Sequence, residues 1–140
     1  MNNKEYTSLV AVGNFPDEII VPLDPPFEDA RGKIQNLVLS PITSTAIITS
    51  KAGTVRSNHY HNANWHYLYI VSGSMEYYER DVDVSGENIK PIIVKAGEMV
   101  FTGPMKVHKT IFLEDTIMMS FGTGTKDHEH HEEDLVRVEF

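Results

Sequence analysis

The feature that most constrains the fold is a series of short β-branched and aromatic segments between about residues 34 and 121. Glycine, proline and polar residues interrupt the series at regular intervals, and neither a long helical period nor an internal repeat is present. Short strands with such regular turn signals are typical of an all-β sandwich or barrel. The clearest segments are TAIITS (45–50), WHYLYIVS (65–72), SMEYYERD (74–81), KPIIV (90–94), EMVF (98–101), HKTIFLE (108–114) and TIMMSF (116–121).

The length of 140 residues suits one domain over residues 1–140, large enough to bury a core of its own. Four prolines between residues 16 and 26 predict an extended N-terminal arm over residues 1–33. We expect the barrel over residues 34–122 and a charged C-terminal segment over residues 123–140, either a short helix or a tail packed on the barrel. Because short β-strands leave sheet edges exposed and the arm could lie across a neighbour, we expect a homodimer.

Composition excludes several partners. The formal net charge of −8 argues against nucleic acid, because phosphate contacts need a basic surface. A small molecule, including an anionic one held by a local basic patch, remains compatible. No apolar run is long enough to span a membrane, and the N-terminus lacks the pattern of a secretory signal. The chain has no cysteine and hence no disulfide, so we expect a cytoplasmic location.

The most informative residues are histidines. The chain has seven, none before residue 59. His59 and His61 are two residues apart, so on a strand they share a face. His66 alternates with Leu68 and Ile70, and His108 alternates with Thr110 and Phe112, which predicts that both also point inward.

Four imidazoles that point into one barrel would be costly without partners, and a metal ion would satisfy them together. His59, His61, His66 and His108 are therefore the predicted ligands of a divalent transition metal ion. Neutral imidazoles suit Zn, Fe or Ni, and also Cu. The other interpretation is that the site holds no ion and the histidines line a polar pocket.

Two stretches of the sequence resemble the motifs of the cupin superfamily. Residues Gly53 to Gly73, with His59-Tyr60-His61 between them, resemble the first motif: Gly, five residues, His-x-His, three or four residues, Glu, six residues, Gly. Residues Gly97 to His108 resemble the second motif: Gly, five residues, Pro-x-Gly, two residues, His. The resemblance covers roughly residues 34–122, and it implies an antiparallel double-stranded β-helix, the cupin jelly-roll barrel.

The chain departs from the cupin motifs at two places. His66 stands where the family usually has a glutamate ligand, which removes one negative charge from the expected set and disfavours Mn. Gly103 and Met105 replace the proline and glycine of the second motif, while His108 keeps its offset.

A finer resemblance is to the cupin-like 3,4-ketoisomerases and, more distantly, the 3,5-epimerases of nucleotide-linked deoxysugars. Their pattern has Asp-x-Arg-Gly near the first strand, then Arg-Gly-x-His-x-His, and an acidic C-terminal element near Asp-Tyr-Ile-Arg. This chain has Asp29-Ala30-Arg31-Gly32, Arg56-Ser57-Asn58-His59-Tyr60-His61 and Asp134-Leu135-Val136-Arg137 in the same order. The resemblance implies an isomerase or epimerase that acts on a nucleotide-linked keto-deoxysugar.

The implied chemistry is proton transfer at carbons beside a ketone, for which neutral imidazole is a suitable base. His59 or His61 would be that base, and Arg31 or Arg56 would hold the diphosphate. The candidate acids are tyrosines: Tyr67, Tyr69 and Tyr77. Those isomerases work without a metal, and an imidazole whose lone pair binds a metal cannot act as a base. The two resemblances therefore make competing predictions for the same histidines.

Two other functions stay open. One is a non-haem iron dioxygenase, in which histidines hold Fe(II) and leave positions for oxygen and substrate. The other is a non-catalytic domain that binds or senses a small ligand.

The histidines of the tail, at positions 128, 130 and 131, lie among acidic residues and favour a solvated charged segment over a metal site.

Overall fold

A computed structural model describes residue 16, residues 18–124 and residues 134–140. The tail histidines lie outside the described residues, as does half of the charged segment predicted over residues 123–140. The described residues contain no helix, and therefore none that is long and apolar enough to cross a membrane. The strands are β1 (Phe27–Asp29), β2 (Gly32–Ile34), β3 (Ser44–Ser50), β4 (Val55–His61), β5 (His66–Ser72), β6 (Ser74–Asp81), β7 (Ile92–Lys95), β8 (Met99–Thr102), β9 (Lys106–Phe112), β10 (Thr116–Gly122) and β11 (Leu135–Arg137).

Nine of the strands form two antiparallel sheets. One has four strands in the order β3-β10-β5-β8, and the other has five in the order β11-β4-β9-β6-β7. Consecutive strands pass repeatedly from one sheet to the other, which is the jelly-roll arrangement. The predicted all-β antiparallel jelly roll is therefore confirmed.

The main core lies between the two sheets. Alternate residues of each strand point inward because side chains along a strand alternate between its two faces. Ile70 and Met118 from the four-stranded sheet meet Met75, Val94 and Phe112 from the five-stranded sheet. The histidines lie next to this apolar core, because Leu68 and Met118 belong to the core and also line the cavity that the histidines occupy.

A second apolar cluster lies on the outer face of the four-stranded sheet. Tyr67, Met99 and Phe101 point outward there and are covered by Val21 and Trp65. The arm is fixed by backbone pairing with β8, since the amide of Val21 donates to the carbonyl of Met99 over 2.8 Å. The arm therefore acts as an additional edge of this sheet.

Strands β1 and β2 form a separate hairpin whose six strand residues are all exposed. Phe27 pairs with Ile34, and both carry large exposed side chains. At the turn, the guanidinium of Arg31 contacts the carboxylate of Asp29 at 2.5 Å. This ion pair lowers the pKa of Asp29 through the hydrogen bonds that Arg31 donates.

The described end of the chain packs on the barrel as a strand rather than as a helix. Strand β11 pairs with β4, and the amide of Val138 donates to the carbonyl of Asn58 over 3.0 Å. Phe140 packs against Tyr78, with its ring centroid 5.7 Å from that of the tyrosine. These contacts place residues 134–137 beside the histidine-bearing strand.

Candidate functional site

A cavity of about 390 Å³ opens between the two sheets. Its lining combines all four histidines of the barrel with two arginines, and aliphatic side chains form its apolar part. The polar members are Arg56, Ser57, Asn58, His59, His61, His66, His108, Thr110 and Arg137.

Three imidazoles converge in this cavity. His59, His61 and His108 each offer a ring nitrogen, and these nitrogens all lie within 4.8 Å of one another. The ring centroids of His59 and His108 are 4.6 Å apart, and those of His59 and His61 are 4.9 Å apart. His61 and His108 are buried, and His59 is partly buried. We call these three residues the histidine triad.

His66 reaches the same cavity from the opposite sheet. Its ring centroid lies 5.5 Å from that of His108 and 5.8 Å from that of His61. It is buried, yet it is not part of the triad whose nitrogens lie within 4.8 Å. The structure therefore brings the four predicted histidines into one cavity. Three of them form the triad, and the ring of His66 lies 5.5 Å from the nearest triad ring.

A β-bulge in β4 aims the first triad residue. Ser57 is opposite Lys109 while His59 is opposite His108, so one extra residue lies in β4. Ser57 and Asn58 have φ angles of 77° and 60°, in the left-handed region that non-glycine residues rarely adopt. Arg56 and His59 are three residues apart and would point to opposite faces of a regular strand. Because of the bulge, both line the cavity.

The orientation of His108 is set by its backbone neighbour. Its Nδ1 lies 3.0 Å from the carbonyl oxygen of Lys106. A carbonyl only accepts, so Nδ1 carries the proton and the lone pair belongs to Nε2. Metal-binding histidines commonly donate their other nitrogen in this way, and a histidine acting as a base benefits from the same fixed tautomer.

Asp134 contributes a carboxylate to the edge of the triad. Its Oδ2 lies 3.8 Å from Nδ1 of His61. The same carboxylate accepts hydrogen bonds from the amides of Ala63 and Asn64, at 3.1 Å and 2.8 Å, which hold it in place. These hydrogen bonds hold the carboxylate beside the imidazole of His61.

Arg137 is the second contribution of the C-terminal strand. In the pairing of β11 with β4 it is opposite His59, and it lines the cavity. Sequence reasoning assigned neither Asp134 nor Arg137 to the site. The signal was present in the Asp134-Leu135-Val136-Arg137 segment, whose Asp-x-x-Arg spacing matches the C-terminal element of the ketoisomerases.

The two arginines proposed to hold a diphosphate are in different places. Arg56 lines the histidine cavity, and its Nε donates to Oγ of Ser50 over 2.8 Å. Arg31 is at the tip of the exposed hairpin, paired with Asp29, and is not among the residues that line the cavity. Within the described chain, only Arg56 of this pair adjoins the histidine triad.

The structure does not bring Tyr67 and Tyr69 to the cavity. They alternate with His66 and Leu68 along β5 and therefore face the outer cluster. Burial raises the pKa of the Tyr67 hydroxyl. The simple cause is strand geometry: neighbours of an inward-pointing histidine point outward.

Tyr77 is the candidate tyrosine that does contact the triad. Its ring stacks on that of His108, with centroids 6.5 Å apart and planes at 21°. Its hydroxyl lies 2.6 Å from Oγ1 of Thr102 and donates to Oε1 of Glu79 over 2.7 Å. Burial raises the pKa of Tyr77 well above its ordinary value, so the phenol stays protonated and holds this network together.

The jelly roll and its internal histidines define the class of protein: this chain has the cupin fold. No protein-family model matches it, and no curated protein matches it. Among solved structures, it is similar to a 3,4-ketoisomerase from Helicobacter canadensis, with 21% identity and a TM-score of 0.68 over 84% of this chain and 88% of that one.

Two further structures share the fold. A dTDP-4-dehydrorhamnose 3,5-epimerase from Sulfolobus tokodaii is 21% identical, with a TM-score of 0.58 over 75% of this chain and 70% of that one. The capsular polysaccharide assembling protein CapF from Staphylococcus aureus is 21% identical, with a TM-score of 0.61 over 92% of this chain. The chain spans only 38% of the length of CapF. These similarities confirm the suspected fold relationship to sugar-nucleotide isomerases and epimerases.

Proposed function

We propose that this cupin is an isomerase or epimerase that transfers protons at carbons beside the ketone of a nucleotide-linked keto-deoxysugar. The observation that carries the proposal is the convergence of three imidazoles in one cavity that two arginines also line. Imidazole suits proton abstraction near neutral pH, and arginine suits a diphosphate. The ketoisomerase and the epimerase that share the fold support the same reaction class.

His61 is the preferred base in this proposal. It belongs to the triad, and Asp134 lies 3.8 Å away to balance the charge of the imidazolium that forms when the proton is taken. His59, which is opposite Arg137 in the strand pairing, would deliver a proton to the neighbouring carbon or oxygen. Tyr77 supports His108 by stacking, and its hydroxyl is committed to Thr102 and Glu79.

The test is product formation from a dTDP-linked 4-keto-deoxysugar, followed by NMR. We expect the wild type to form the 3-keto isomer or an epimer, and His61→Asn to lower the rate by about 10²–10⁴-fold, the usual contribution of a general base. Tyr60→Phe, between the two histidines of β4 and not among the residues that line the cavity, is the control and should lose much less. No product from the wild type, or equal loss in both variants, would count against the proposal.

As the alternative to an imidazole base, we propose that the triad holds a divalent transition metal ion, in which case His61 could not be the base. His59, His61 and His108 would be its ligands and His66 a further one, and neutral imidazoles fit Zn, Fe or Ni, with Cu also permitted. A bound ion would polarise a ketone oxygen. Nε2 of His108 could supply its lone pair to the ion, because Nδ1 donates its hydrogen to the carbonyl oxygen of Lys106.

Elemental analysis of protein purified without added metal tests the metal proposal. About one equivalent of metal per chain, lost in His108→Ala, is the expected result; a metal content below a tenth of an equivalent after incubation with Zn²⁺ would overturn it. Iron accompanied by oxygen uptake would favour a dioxygenase. Product formation that survives chelation would assign the proton transfer to metal-free imidazoles.

We propose a homodimer formed through the outer face of the four-stranded sheet. Ile47 is 70% exposed there, and Val71 and Ile117 are also exposed, so the apolar face extends beyond the part that the arm covers. Strand β3 is an edge strand with seven residues, and such edges favour pairing with another chain.

We also propose that the substrate is a small molecule and that the protein is cytoplasmic. The proposed location rests on the lack of cysteine in the chain.

A further inference from the structure

Phe140 packs on the outer face of the five-stranded sheet, against a second ring and two cations. Its ring centroid lies 5.7 Å from that of Tyr78. Nζ of Lys109 lies 4.9 Å from the centroid of Phe140 and 4.4 Å from that of Tyr78, so one ammonium group lies against both rings. The guanidinium carbon of Arg80 lies 5.3 Å from the centroid of Phe140. Cations at these distances attract the faces of the rings, and we call Tyr78, Arg80 and Lys109 the anchor cluster.

The backbone next to Phe140 is held by the loop that follows β6. Nη2 of Arg80 donates to the carbonyl of Glu139 over 3.3 Å, while its Nη1 donates to the carbonyl of Val84 over 2.7 Å. One guanidinium therefore links this loop to the chain after β11. Gly86 lies so close to the carbonyl oxygen of Phe140 that a Cβ there would clash with it. Both the side chain and the backbone of Phe140 are thus fixed.

Strand β11 is held to the barrel over a short length. It has three residues and lies at the edge of its sheet, paired with β4. At its two ends, the amide of Asn62 donates to the carbonyl of Asp134 and the amide of Val138 donates to the carbonyl of Asn58, each over 3.0 Å. A short edge strand opens at a lower cost in free energy than a central strand does. Contacts just beyond its end therefore decide how often it leaves β4.

We infer that Phe140 is a positioning residue of the candidate site. The anchor cluster holds its ring, which keeps β11 on β4. The paired strand in turn keeps Asp134 beside His61 and Arg137 in the lining of the cavity. Phe140 itself is not among the residues that line the cavity, so it acts through the strand. The consequence for catalysis rests on the proposed function, whereas the anchoring of β11 does not.

Amide hydrogen exchange followed by NMR measures the anchoring without any substrate. In Phe140→Ala we expect the amides of Asn62 and Val138 to exchange about tenfold faster or more, because both are bonded only while β11 is paired. Phe140→Tyr keeps the ring and should exchange at close to the wild-type rate. Phe27→Ala makes the same substitution on the exposed hairpin, and it should change these rates by less than about twofold. Unchanged exchange of the β5 and β10 amides shows that the barrel is intact in each variant.

Kinetics separate a positioning role from a general loss of stability. We expect Phe140→Ala to lower kcat by about three- to tenfold, because the carboxylate of Asp134 is then beside His61 for only part of the time. In the background of Asp134→Asn, the same substitution should change kcat by less than about twofold, because the charge that Phe140 positions is already absent. A residue that only stabilises the barrel would lower kcat by the same factor in both backgrounds.

Two results would overturn the inference: unchanged exchange at Asn62 and Val138 in Phe140→Ala, or the same acceleration in Phe27→Ala. Its failure is distinguishable from that of the isomerase proposal. If the wild type forms product and Phe140→Ala lowers kcat equally in both backgrounds, or not at all, the positioning role is wrong and the activity stands. If exchange accelerates as expected and the wild type forms no product, Phe140 anchors β11 and the activity is wrong.

Discussion

His61 and Asp134 come from distant parts of the sequence and meet because β11 pairs with β4. The register places Leu135 opposite His61, so Asp134 lies just beyond the end of the pairing with its carboxylate 3.8 Å from the imidazole. At this separation the two groups interact through charge more than through a hydrogen bond. Asp134 is thus a positioning and charge-balancing residue in the proposed reaction.

Replacing Asp134 by Asn tests that role. Asp134→Asn keeps an oxygen that can accept the amides of Ala63 and Asn64, but it removes the charge that balances imidazolium. We expect kcat to fall by about 10–100-fold, because the positive charge on His61 develops only in the transition state. KM and thermal stability should change little. An unchanged kcat would show that His61 works without the carboxylate.

Glu79 provides a pH-dependent test of the network behind the triad. Burial raises the pKa of Glu79, and the hydrogen bond from Tyr77 and the charge of Lys106 only partly oppose this. The folded state therefore binds this proton more tightly than the unfolded state. Below the pKa that Glu79 has in the unfolded chain, the full stability is present. The protein should lose stability as the pH rises from that value through the higher pKa of Glu79 in the folded state.

Glu79→Gln removes the titration and keeps an oxygen for Tyr77. We expect this variant to be more stable than the wild type at neutral pH, and the advantage to disappear below about pH 4, where the glutamate is protonated in both states. Thermal unfolding of both proteins across this range measures it. A difference in melting temperature that does not change with pH would contradict the assignment.

At the scale of elements, the bulge in β4 decides which side chains enter the cavity. Side chains alternate along a strand, so one additional residue exchanges the faces of everything on one side of it. Ser57 occupies the position where the ketoisomerase motif has glycine, and its φ of 77° is one that glycine adopts without strain. The bulge thus gives a physical reason for the spacing of Arg56 and His59.

Deletion of Asn58 should remove the bulge and turn Arg56 or His59 away from the cavity. We expect this deletion to abolish both product formation and zinc binding. Ser57→Gly is the matched control, because it keeps the extra residue and relieves a backbone strain of about 1 kcal/mol, and it should keep both activities with equal or higher stability. A deletion variant that retains zinc binding would show that the bulge does not aim His59.

At the scale of the whole molecule, the parts predictable from sequence are those that depend on local alternation. Short strands with regular breaks indicated an all-β sandwich or barrel, and the resemblance to the cupin motifs implied the jelly roll. Strand alternation around His59, His61, His66 and His108 indicated inward-pointing rings. The parts that sequence could not provide depend on pairing between distant segments. The approach of Asp134 to His61, for example, requires the register of β11. The outward position of Tyr67, by contrast, follows from its local alternation with His66 and could have been read from the sequence.

The proposed dimer is also a property of the whole molecule. Ile47 lies opposite Met119, which is opposite Tyr69, so one apolar row crosses three strands of the outer face. Ile47→Lys places a charge in that row, and we expect it to convert a dimer into a monomer by light scattering, with the fold retained. Val84→Lys, an exposed valine in the loop after β6, is the control. A wild type that is already monomeric would remove the proposal.

Solvent deuterium exchange tests the central claim most directly, because it detects proton abstraction even when no net product accumulates. The wild-type protein is incubated in D₂O with a dTDP-linked 4-keto-deoxysugar, and mass spectrometry counts the deuterium gained at carbons beside the ketone. The account predicts incorporation far above the rate in buffer, lost in the double variant His59→Asn/His61→Asn. Incorporation at the buffer rate with the wild type, or undiminished incorporation with that variant, would contradict it.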